Sequence, residues 1–149
     1  MRYYIATSTE NMGSHNFIRD SLAKLGHEIT YDWTRHGSVR ETNEAILREI
    51  AHAEFQGILD ADFVVVLLPG GKGTHAELGF SIASQKQVFI CSEDSSVFEP
   101  GPKVCAFYHH ADVIRLKCSS ENIADLIEEA LLHKCNNADR EGAVLNATL

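Results

Sequence analysis

The chain has 149 residues, a length that favours one domain able to bury roughly two-thirds of its unfolded surface. Apolar residues make up 44% of it and charged residues 23%, which is typical of globular proteins. Its net charge is −8 and its basic residues form no run, so we expect neither nucleic acid nor an anionic membrane as a partner.

The chain shows no pattern for export, membrane insertion or metal binding. No apolar run approaches the ~20 residues of a membrane span, and the first residues lack a signal-peptide core. The four cysteines form no Cys-x-x-Cys pair, and the adjacent His109 and His110 would point apart on a strand. We therefore expect a cytoplasmic protein with free thiols, no metal and no cofactor.

Strand-like and helix-like segments alternate along the chain. Apolar runs predict strands over residues 2–8, 27–33, 62–69, 87–91 and 113–118. Periodic segments predict helices over residues 14–25, 39–59, 74–84 and 119–134, with an irregular loop at 93–111. The domain is expected to span 1–135, and 136–149 to be a flexible tail.

This alternation predicts the α/β class: a single doubly wound, Rossmann-like domain with a mostly parallel five-stranded sheet flanked by helices. Ligands of such sheets bind outside the carboxyl ends of the strands. Three polar segments follow predicted strands and should meet at that edge, namely residues 7–14, 32–38 and 69–77.

The third of these segments contains a glycine-rich turn that opens a helix, GGKGTHAELGF. Lys72 precedes Gly73 and Thr74 with the wrong spacing for a Walker phosphate loop, and the first loop lacks the glycines of a dinucleotide site. Thr74-x-x-Glu77 is a capping box, so Glu77 has a structural interpretation. Binding of a nucleotide by backbone N–H groups remains open beside it.

A second carboxyl group gives Glu77 a chemical interpretation as well. Glu54 continues a stripe in which apolar residues recur every fourth position on the preceding helix, so it either faces a cleft or lies at the edge of the stripe. A half-buried acid with a raised pKa beside a carboxylate ionised by a helix N-terminus is the pair used by retaining glycoside-cleaving enzymes. From spacing alone, capping and catalysis both remain open for Glu77.

The stretch EFQGILDADFVVVLLPGGKGTHAELGFSIASQKQVFI, over residues 54–90, resembles the core of the nucleoside 2-deoxyribosyltransferase family. The resemblance rests on four features in chain order. They are an acid ahead of the pair Ala-Asp and an apolar strand, a glycine turn, the motif Glu-Leu-Gly at the start of a helix of small residues, and the motif Lys-x-Val. YYIATS and LGHEITYDW resemble the family's first two strands. The similarity covers about residues 2–92.

The resemblance implies an enzyme that cleaves the N-glycosidic bond of a 2′-deoxynucleoside or nucleotide and passes the sugar to another base or to water. It implies that Glu77 is the nucleophile and that Tyr4 orients it. Glu54 stands where the family usually has an aspartate that handles the proton of the base. Many transferases carry a further acid six residues before the nucleophile, and this chain has Gly71 there.

Three functions follow in order of preference: sugar transfer between bases, hydrolysis of a nucleoside 5′-monophosphate, and nucleotide binding without catalysis. The nucleotide-hydrolysing relatives hold phosphate with serines and an arginine in the first loop, whereas this loop has serines but no arginine. The family also completes its pockets with neighbouring subunits, which implies a homodimer or larger homo-oligomer. We expect the substrate to be bound by Ser8, Trp33, Gly71, Lys72, Gly73 and Thr74, although Trp33 can equally be a core residue.

Overall fold

A computed structural model describes residues 1–36 and 42–133. Within these ranges the fold is one sheet of five parallel strands in the order β2-β1-β3-β4-β5. The α/β class and the five-stranded sheet are thus confirmed, and the sheet is wholly parallel rather than mostly so. The strands are β1 (Arg2–Ala6), β2 (Glu28–Ile29), β3 (Phe63–Leu67), β4 (Gln87–Ser92) and β5 (Val113–Lys117).

Four helices flank this sheet in the described part of the chain. They are α1 (Met12–Lys24), α2 (Glu44–Asp60), α3 (Lys72–Ala83) and α4 (residues 123–133). Helices α1 and α4 bury apolar side chains on one face, and α2 and α3 bury theirs on the other. The order of strands reverses direction between β1 and β3, where ligands of doubly wound sheets bind.

Strand β3 shows why the two faces are both apolar. All five of its residues are buried, as expected for a central strand covered by helices on both sides. Because neighbouring side chains on a strand point to opposite faces, Phe63 and Val65 join the core under α1 and α4. Val64 and Val66 join the core under α2 and α3.

All four predicted helix starts were wrong by a few residues, since α3 begins at Lys72 rather than at 74 and α4 at 123 rather than at 119. Helix α1 begins two residues before Ser14, although Gly26, with φ +87°, ends it as predicted. Helix α2 begins at Glu44 rather than at residue 39, and the Asn43 side chain caps it by accepting the Ile46 N–H at 3.0 Å. The predicted capping box at residues 38 and 41 lies outside the described residues.

The second strand is much shorter than the predicted 27–33. Just after it, the Thr30 N–H donates to the carbonyl of Tyr3 at 2.8 Å, and the Thr30 hydroxyl donates to that of Gly57 at 2.7 Å. A 3₁₀ turn, Trp33–His36, follows. The predicted tail at 136–149 lies outside the described residues, and none of the helices within them is long and apolar enough to cross a membrane.

Candidate active site

A buried tyrosine and a buried glutamate form the centre of the site. Tyr4 on β1 is fully buried, and Glu77 on α3 is only 6% exposed. The Tyr4 hydroxyl donates to Oε1 of Glu77 at 2.5 Å, the short distance typical of a hydroxyl bound to a carboxylate. The hydrogen bond joins residues 73 positions apart in the chain. The fold therefore brings together the two residues that the sequence paired.

Glu54 completes this pair from α2, where it is half-buried. Its charge contributes to raising the pKa of both Glu77 and Tyr4, so the three side chains form one electrostatic cluster. Tyr31, which follows β2, also feels the charge of Glu54. The three residues predicted to be catalytic are thus brought together.

The pKa of Glu77 is raised, whereas the sequence predicted that the helix start would keep this group ionised. Burial is the largest influence and raises the pKa, the Tyr4 hydrogen bond lowers it, and the charge of Glu54 raises it again, to about 7. Glu77 lies in the second turn of α3, beyond the first turn in which a helix dipole acts strongly. Burial therefore outweighs the dipole, and Glu77 exchanges its proton near neutrality.

The charges of Glu54 and Glu77 repel each other. Ionisation of Glu54 makes ionisation of Glu77 harder, and the reverse holds by the same interaction. The state with Glu77 ionised and Glu54 protonated offers a nucleophile beside a proton donor. Burial pushes the pKa of Tyr4 far above its ordinary value, with Glu77 as the next cause, so Tyr4 remains a hydrogen-bond donor throughout.

Gly57 allows α2 to approach the site and was missed from the sequence. A Cβ atom at this position would lie 2.7 Å from Cβ of Tyr31 and 3.1 Å from Cδ2 of Tyr4. Glu54 stands one helical turn earlier on the same side of α2. The missing side chain therefore brings Glu54 towards Tyr4, and a glycine in the middle of a predicted helix was the available signal.

The glycine turn is built differently from the predicted capping box. Helix α3 begins at Lys72, and the Thr74 hydroxyl accepts the Gly71 N–H at 3.2 Å. Thr74 is therefore inside the helix, and the carboxyl group of Glu77 is bound to Tyr4 instead of capping. Gly70 gives the turn its shape, since a Cβ there would meet Cγ2 of Thr74 at 2.5 Å.

The predicted binding residues of the turn lie at the exposed start of α3. Gly71, Lys72 and Gly73 are exposed, and a Cβ at either glycine would meet nothing within 4 Å. Thr74 is buried beneath them. Open space above a helix N-terminus leaves room for a ligand at this point.

The first loop is tied directly to the glycine turn through Asn11. Its amide donates to the carbonyl of Pro69 at 2.9 Å and to the hydroxyl of Thr7 at 3.0 Å. The Thr7 hydroxyl donates in turn to the carbonyl of Leu67 at 3.1 Å. Ser8, predicted to bind substrate, lies half-buried in this loop. Two of the three predicted segments therefore meet at the carboxyl edge of the sheet.

Trp33 belongs to the remaining segment, residues 32–38, and the structure places it in the core. It is 6% exposed, and its indole N–H donates to the carbonyl of Ile5 at 3.0 Å. The ring of His15, which is fully buried, meets it edge-on with centroids 5.0 Å apart. Trp33 therefore supports the wall beside β1, and its ring is not presented as an open stacking surface.

A histidine on α3 connects the glycine turn to the loop at 93–111. His75 Nδ1 lies 2.8 Å from the carbonyl of Gly71 and therefore carries the proton, which leaves Nε2 to accept from the Tyr108 hydroxyl at 2.7 Å. Tyr108 is itself buried. Neither contact was predictable from spacing. Across the described ranges no group of three or more potential ligands is arranged to hold a metal ion.

Comparison with known structures finds relatives of the same fold. A CMP N-glycosidase from Clostridium botulinum is 14% identical, with a TM-score of 0.55, over 86% of this chain and 98% of that one. A 2-deoxyribosyltransferase from Bacillus psychrosaccharolyticus is 16% identical, with a TM-score of 0.63, over 83% and 90%. A conserved protein from Enterococcus faecalis is 17% identical, with a TM-score of 0.61, over 87% and 98%.

Comparison with curated protein sequences finds no match. A family model described as nucleoside 2-deoxyribosyltransferase matches residues 4–146, which is nearly the whole chain. The match spans every residue of the Tyr4, Glu54 and Glu77 cluster. The chain belongs to the nucleoside 2-deoxyribosyltransferase family.

Proposed function

We propose that this protein cleaves the N-glycosidic bond of a 2′-deoxynucleoside through a covalent glycosyl-enzyme on Glu77 and transfers the deoxyribosyl group to another nucleobase. The observation that carries the proposal is the buried Tyr4–Glu77 hydrogen bond with Glu54 beside it. Membership of the family and the likeness to a 2-deoxyribosyltransferase support the same chemistry.

In the first step, an oxygen of the Glu77 carboxylate attacks the anomeric carbon of the deoxyribose. A carbon–oxygen bond forms while the bond from carbon to the base nitrogen breaks, and its electron pair leaves with the base. The Tyr4 hydroxyl holds Oε1 of Glu77 and so fixes the orientation of the carboxylate. Glu54, in its protonated form, donates a proton to the departing base.

In the second step, a nitrogen of an incoming base attacks the same carbon and releases Glu77 as a carboxylate. Glu54 now accepts the proton of the incoming base, which restores the starting state of both carboxyl groups. Each step inverts the anomeric carbon, so the product keeps the configuration of the substrate. Glu77 must be ionised to attack the sugar and must leave as a carboxylate in the second step. A pKa near 7 suits both requirements.

Substrate contacts are proposed at the carboxyl edge between β1 and β3. Ser8 in the first loop and the open start of α3 at Gly71 and Gly73 lie on the two sides of this edge. Thr74 shapes the turn from below through its bond to the Gly71 N–H. Trp33 contributes by supporting the wall under the first loop.

A second candidate is hydrolysis of a deoxynucleoside 5′-monophosphate, in which water resolves the same glycosyl-enzyme. Lys72 favours it, since this exposed cation stands at the first residue of α3, where free N–H groups suit a phosphate. One protein of the same fold is a CMP N-glycosidase. A nucleotide-binding protein without catalysis is the third outcome that an assay must distinguish.

A product assay tests these candidates together. The protein is incubated with a deoxynucleoside or its 5′-monophosphate, with and without a second nucleobase, and the products are identified by chromatography and mass. New nucleoside that appears only with the second base supports transfer, whereas free base with sugar phosphate supports hydrolysis. Glu77→Gln is the matched control and should abolish either reaction. Saturable binding without any product would contradict the catalytic proposal.

We also propose that the chain forms a homodimer or larger homo-oligomer. Helix α2 leaves several large apolar side chains between 41% and 46% exposed, although it carries a site residue on its inner side. Such a surface on one helix is typical of an interface between subunits. The side chains are those of Ile46, Leu47, Phe55 and Leu59. Sedimentation of the wild type and of Leu47→Glu tests this, since only the wild type should exceed the 16.5 kDa of one chain.

A further inference from the structure

A second cavity opens at the carboxyl edge of the sheet, on the face covered by α1 and α4. It has a volume of about 330 Å³ and lies at the ends of β3, β4 and β5. Neither Glu77, Glu54 nor Tyr4 lines it, since these residues belong to the face covered by α2 and α3. The cavity shares Asn11 and Pro69 with the first loop and the glycine turn, but its remaining walls have no role in the proposed reaction.

Two thiols line this cavity. Cys91 is near the end of β4 and only 2% exposed, and Cys118, the first residue after β5, is half-buried. Both pack against the same apolar core, so their side chains lie on one face of two neighbouring strands. The Cys118 N–H donates to the carbonyl of Ser92 at 3.1 Å, which holds the two strand ends together.

Each thiol influences the other: the pKa of Cys118 is lowered chiefly by Cys91, and that of Cys91 is raised chiefly by Cys118. The Cys118 thiol itself lies 3.8 Å from the carbonyl of Leu116. Burial opposes the effect at Cys118 and adds to it at Cys91. Cys118 is thus the thiol that ionises first and Cys91 the one that keeps its proton, a division seen in reactive dithiols.

We propose that Cys91 and Cys118 form a redox-active dithiol that reacts with a hydroperoxide and closes to a disulfide. The cavity gives a small oxidant access to Cys118, the more exposed of the two sulfur atoms. The pairing of β4 with β5 sets Cys91 opposite Leu116, so Cys118 follows as its diagonal neighbour on the same face and Cys91 is the resolving thiol.

The reaction balances with hydrogen peroxide as the oxidant. The Cys118 thiolate attacks one peroxide oxygen, the oxygen–oxygen bond breaks, and Cys118 becomes a sulfenic acid while the departing hydroxide takes a proton to form water. The sulfur of Cys91 then attacks the sulfur of Cys118. A sulfur–sulfur bond forms, the sulfur–oxygen bond breaks, and the hydroxide leaves with the Cys91 proton as a second water. Two thiols are oxidised and one peroxide is reduced.

Cys105 provides a control inside the same chain. It is a half-buried free thiol like Cys118, but it lines a different cavity, next to Tyr108. A thiol in that place has no part in the proposed disulfide. Because Cys105 and Cys118 are similarly exposed but have different neighbours, a faster reaction of Cys118 would be due to the pair and not to exposure alone.

The test uses the full chain carrying Cys105→Ser and Cys135→Ser, oxidised with hydrogen peroxide and digested without reductant. We expect a peptide pair joined through Cys91 and Cys118, the loss of both free thiols, and recovery of both with dithiothreitol. Adding Cys91→Ser should leave a sulfenic acid on Cys118 that a 1,3-dione captures. In the wild-type chain, iodoacetamide should label Cys118 faster than Cys105 when folded and at an equal rate in denaturant.

The absence of the joined peptide, with both thiols still free or with Cys118 oxidised singly, would overturn the proposal. Equal labelling of Cys118 and Cys105 in the folded chain would overturn it as well. Circular dichroism confirms folding of each variant, and the joined peptide in the two-serine background decides the matter even where Cys91→Ser fails to fold. None of these readouts depends on glycosidic bond cleavage.

Discussion

Tyr3 and Tyr4 are neighbours on β1, and both are fully buried, yet only one belongs to the site. Tyr3 points to the face under α1 and donates to the backbone carbonyl of Arg19 at 3.1 Å. Tyr4 points to the opposite face and donates to the Glu77 carboxyl at 2.5 Å. Burial alone therefore does not mark a catalytic group; the acidic partner does.

The pKa values of the two tyrosines express the same difference. Burial raises the pKa of Tyr3 to about 12, with smaller and opposing effects from Arg19 and nearby acids. Burial also leads at Tyr4, but the charges of Glu77 and Glu54 act in the same direction and push its pKa well beyond that of Tyr3. One strand thus carries a hydroxyl with a backbone partner next to the hydroxyl that we propose to serve catalysis, which makes each the control for the other.

Among variants that keep the nucleophile Glu77, the largest effect on rate is expected from Glu54→Gln. Loss of the proton donor should lower kcat by about 10²- to 10⁴-fold for bases that leave only when protonated. Glu49→Gln, on the exposed side of α2, is the matched control and should keep the wild-type kcat in the same steady-state assay. An equal kcat in Glu54→Gln and the wild type would contradict the role of Glu54 as the proton donor.

The next effect concerns stability and pH. The pKa of Glu77 is raised from 4.5 to about 7, so the folded state favours the protonated form. Below pH 4.5 both states are protonated; as pH rises to about 7, the unfolded chain loses the proton first and stability falls. Above that range the free energy of unfolding of the wild type should have fallen by about 3 kcal/mol, whereas that of Glu77→Gln should not show this fall.

Urea unfolding of the wild type and Glu77→Gln at about pH 4.5 and about pH 8 measures this difference. Subtracting the two proteins cancels the titration of all other groups. A difference between them that stays constant with pH would show that the pKa of Glu77 is not raised. In the same experiment Glu49→Gln should follow the wild type at both pH values.

Tyr4→Phe should have an intermediate effect on rate. A hydrogen bond to a charged group contributes about 1.5–3 kcal/mol, so kcat/KM should fall by about 10- to 100-fold. The pKa of Glu77 should rise further, because this bond is the influence that lowers it, and the acid limb should move to higher pH. Tyr3→Phe should lose about 1 kcal/mol of stability and leave the rate unchanged. Equal losses of activity in the two variants would refute the contrast.

The smallest effect is expected from a single methyl group on α2. Gly57→Ala places Cβ 2.7 Å from Cβ of Tyr31, so α2 must shift away from β1 and carry Glu54 with it. Overpacking of ~1–3 kcal/mol exceeds the ~1 kcal/mol gained in helix propensity, and activity should fall modestly. Gly79→Ala on α3 meets nothing within 4 Å and should stabilise the fold. Thermal unfolding and steady-state rates should rank Gly79→Ala above Gly57→Ala.

The sequence predicted those parts of the fold that depend on local pattern. The unbroken apolar run of β3 specified a central strand, and Gly26 marked the end of α1 correctly. The start of α2 was misplaced because two capping patterns lie close together in the chain, and Asn43 is the one seen at the start of the helix. The hydroxyl of Thr30, just after the short β2, bonds to Gly57 of another element, a contact that no local pattern reveals.

The site shows the same division. Tyr4, Glu54 and Glu77 were predicted together because a family resemblance relates positions far apart in sequence. The supporting contacts of Asn11 with Pro69, and of His75 with Tyr108, arise only when loops after different strands meet in space. The raised pKa of Glu77 was missed because it depends on the depth of burial, which spacing along a helix does not determine.

The central claim is that Glu77 carries the sugar during the reaction, and trapping tests it most directly. The protein is incubated with a 2′-fluorinated nucleoside, whose glycosyl-enzyme breaks down slowly, and then digested and measured by peptide mass. The account predicts one added sugar on the peptide containing Glu77, none in Glu77→Gln, and removal of the sugar by an added nucleobase. Turnover of the natural substrate with the sugar on another residue, or with no covalent adduct at any time, would contradict it.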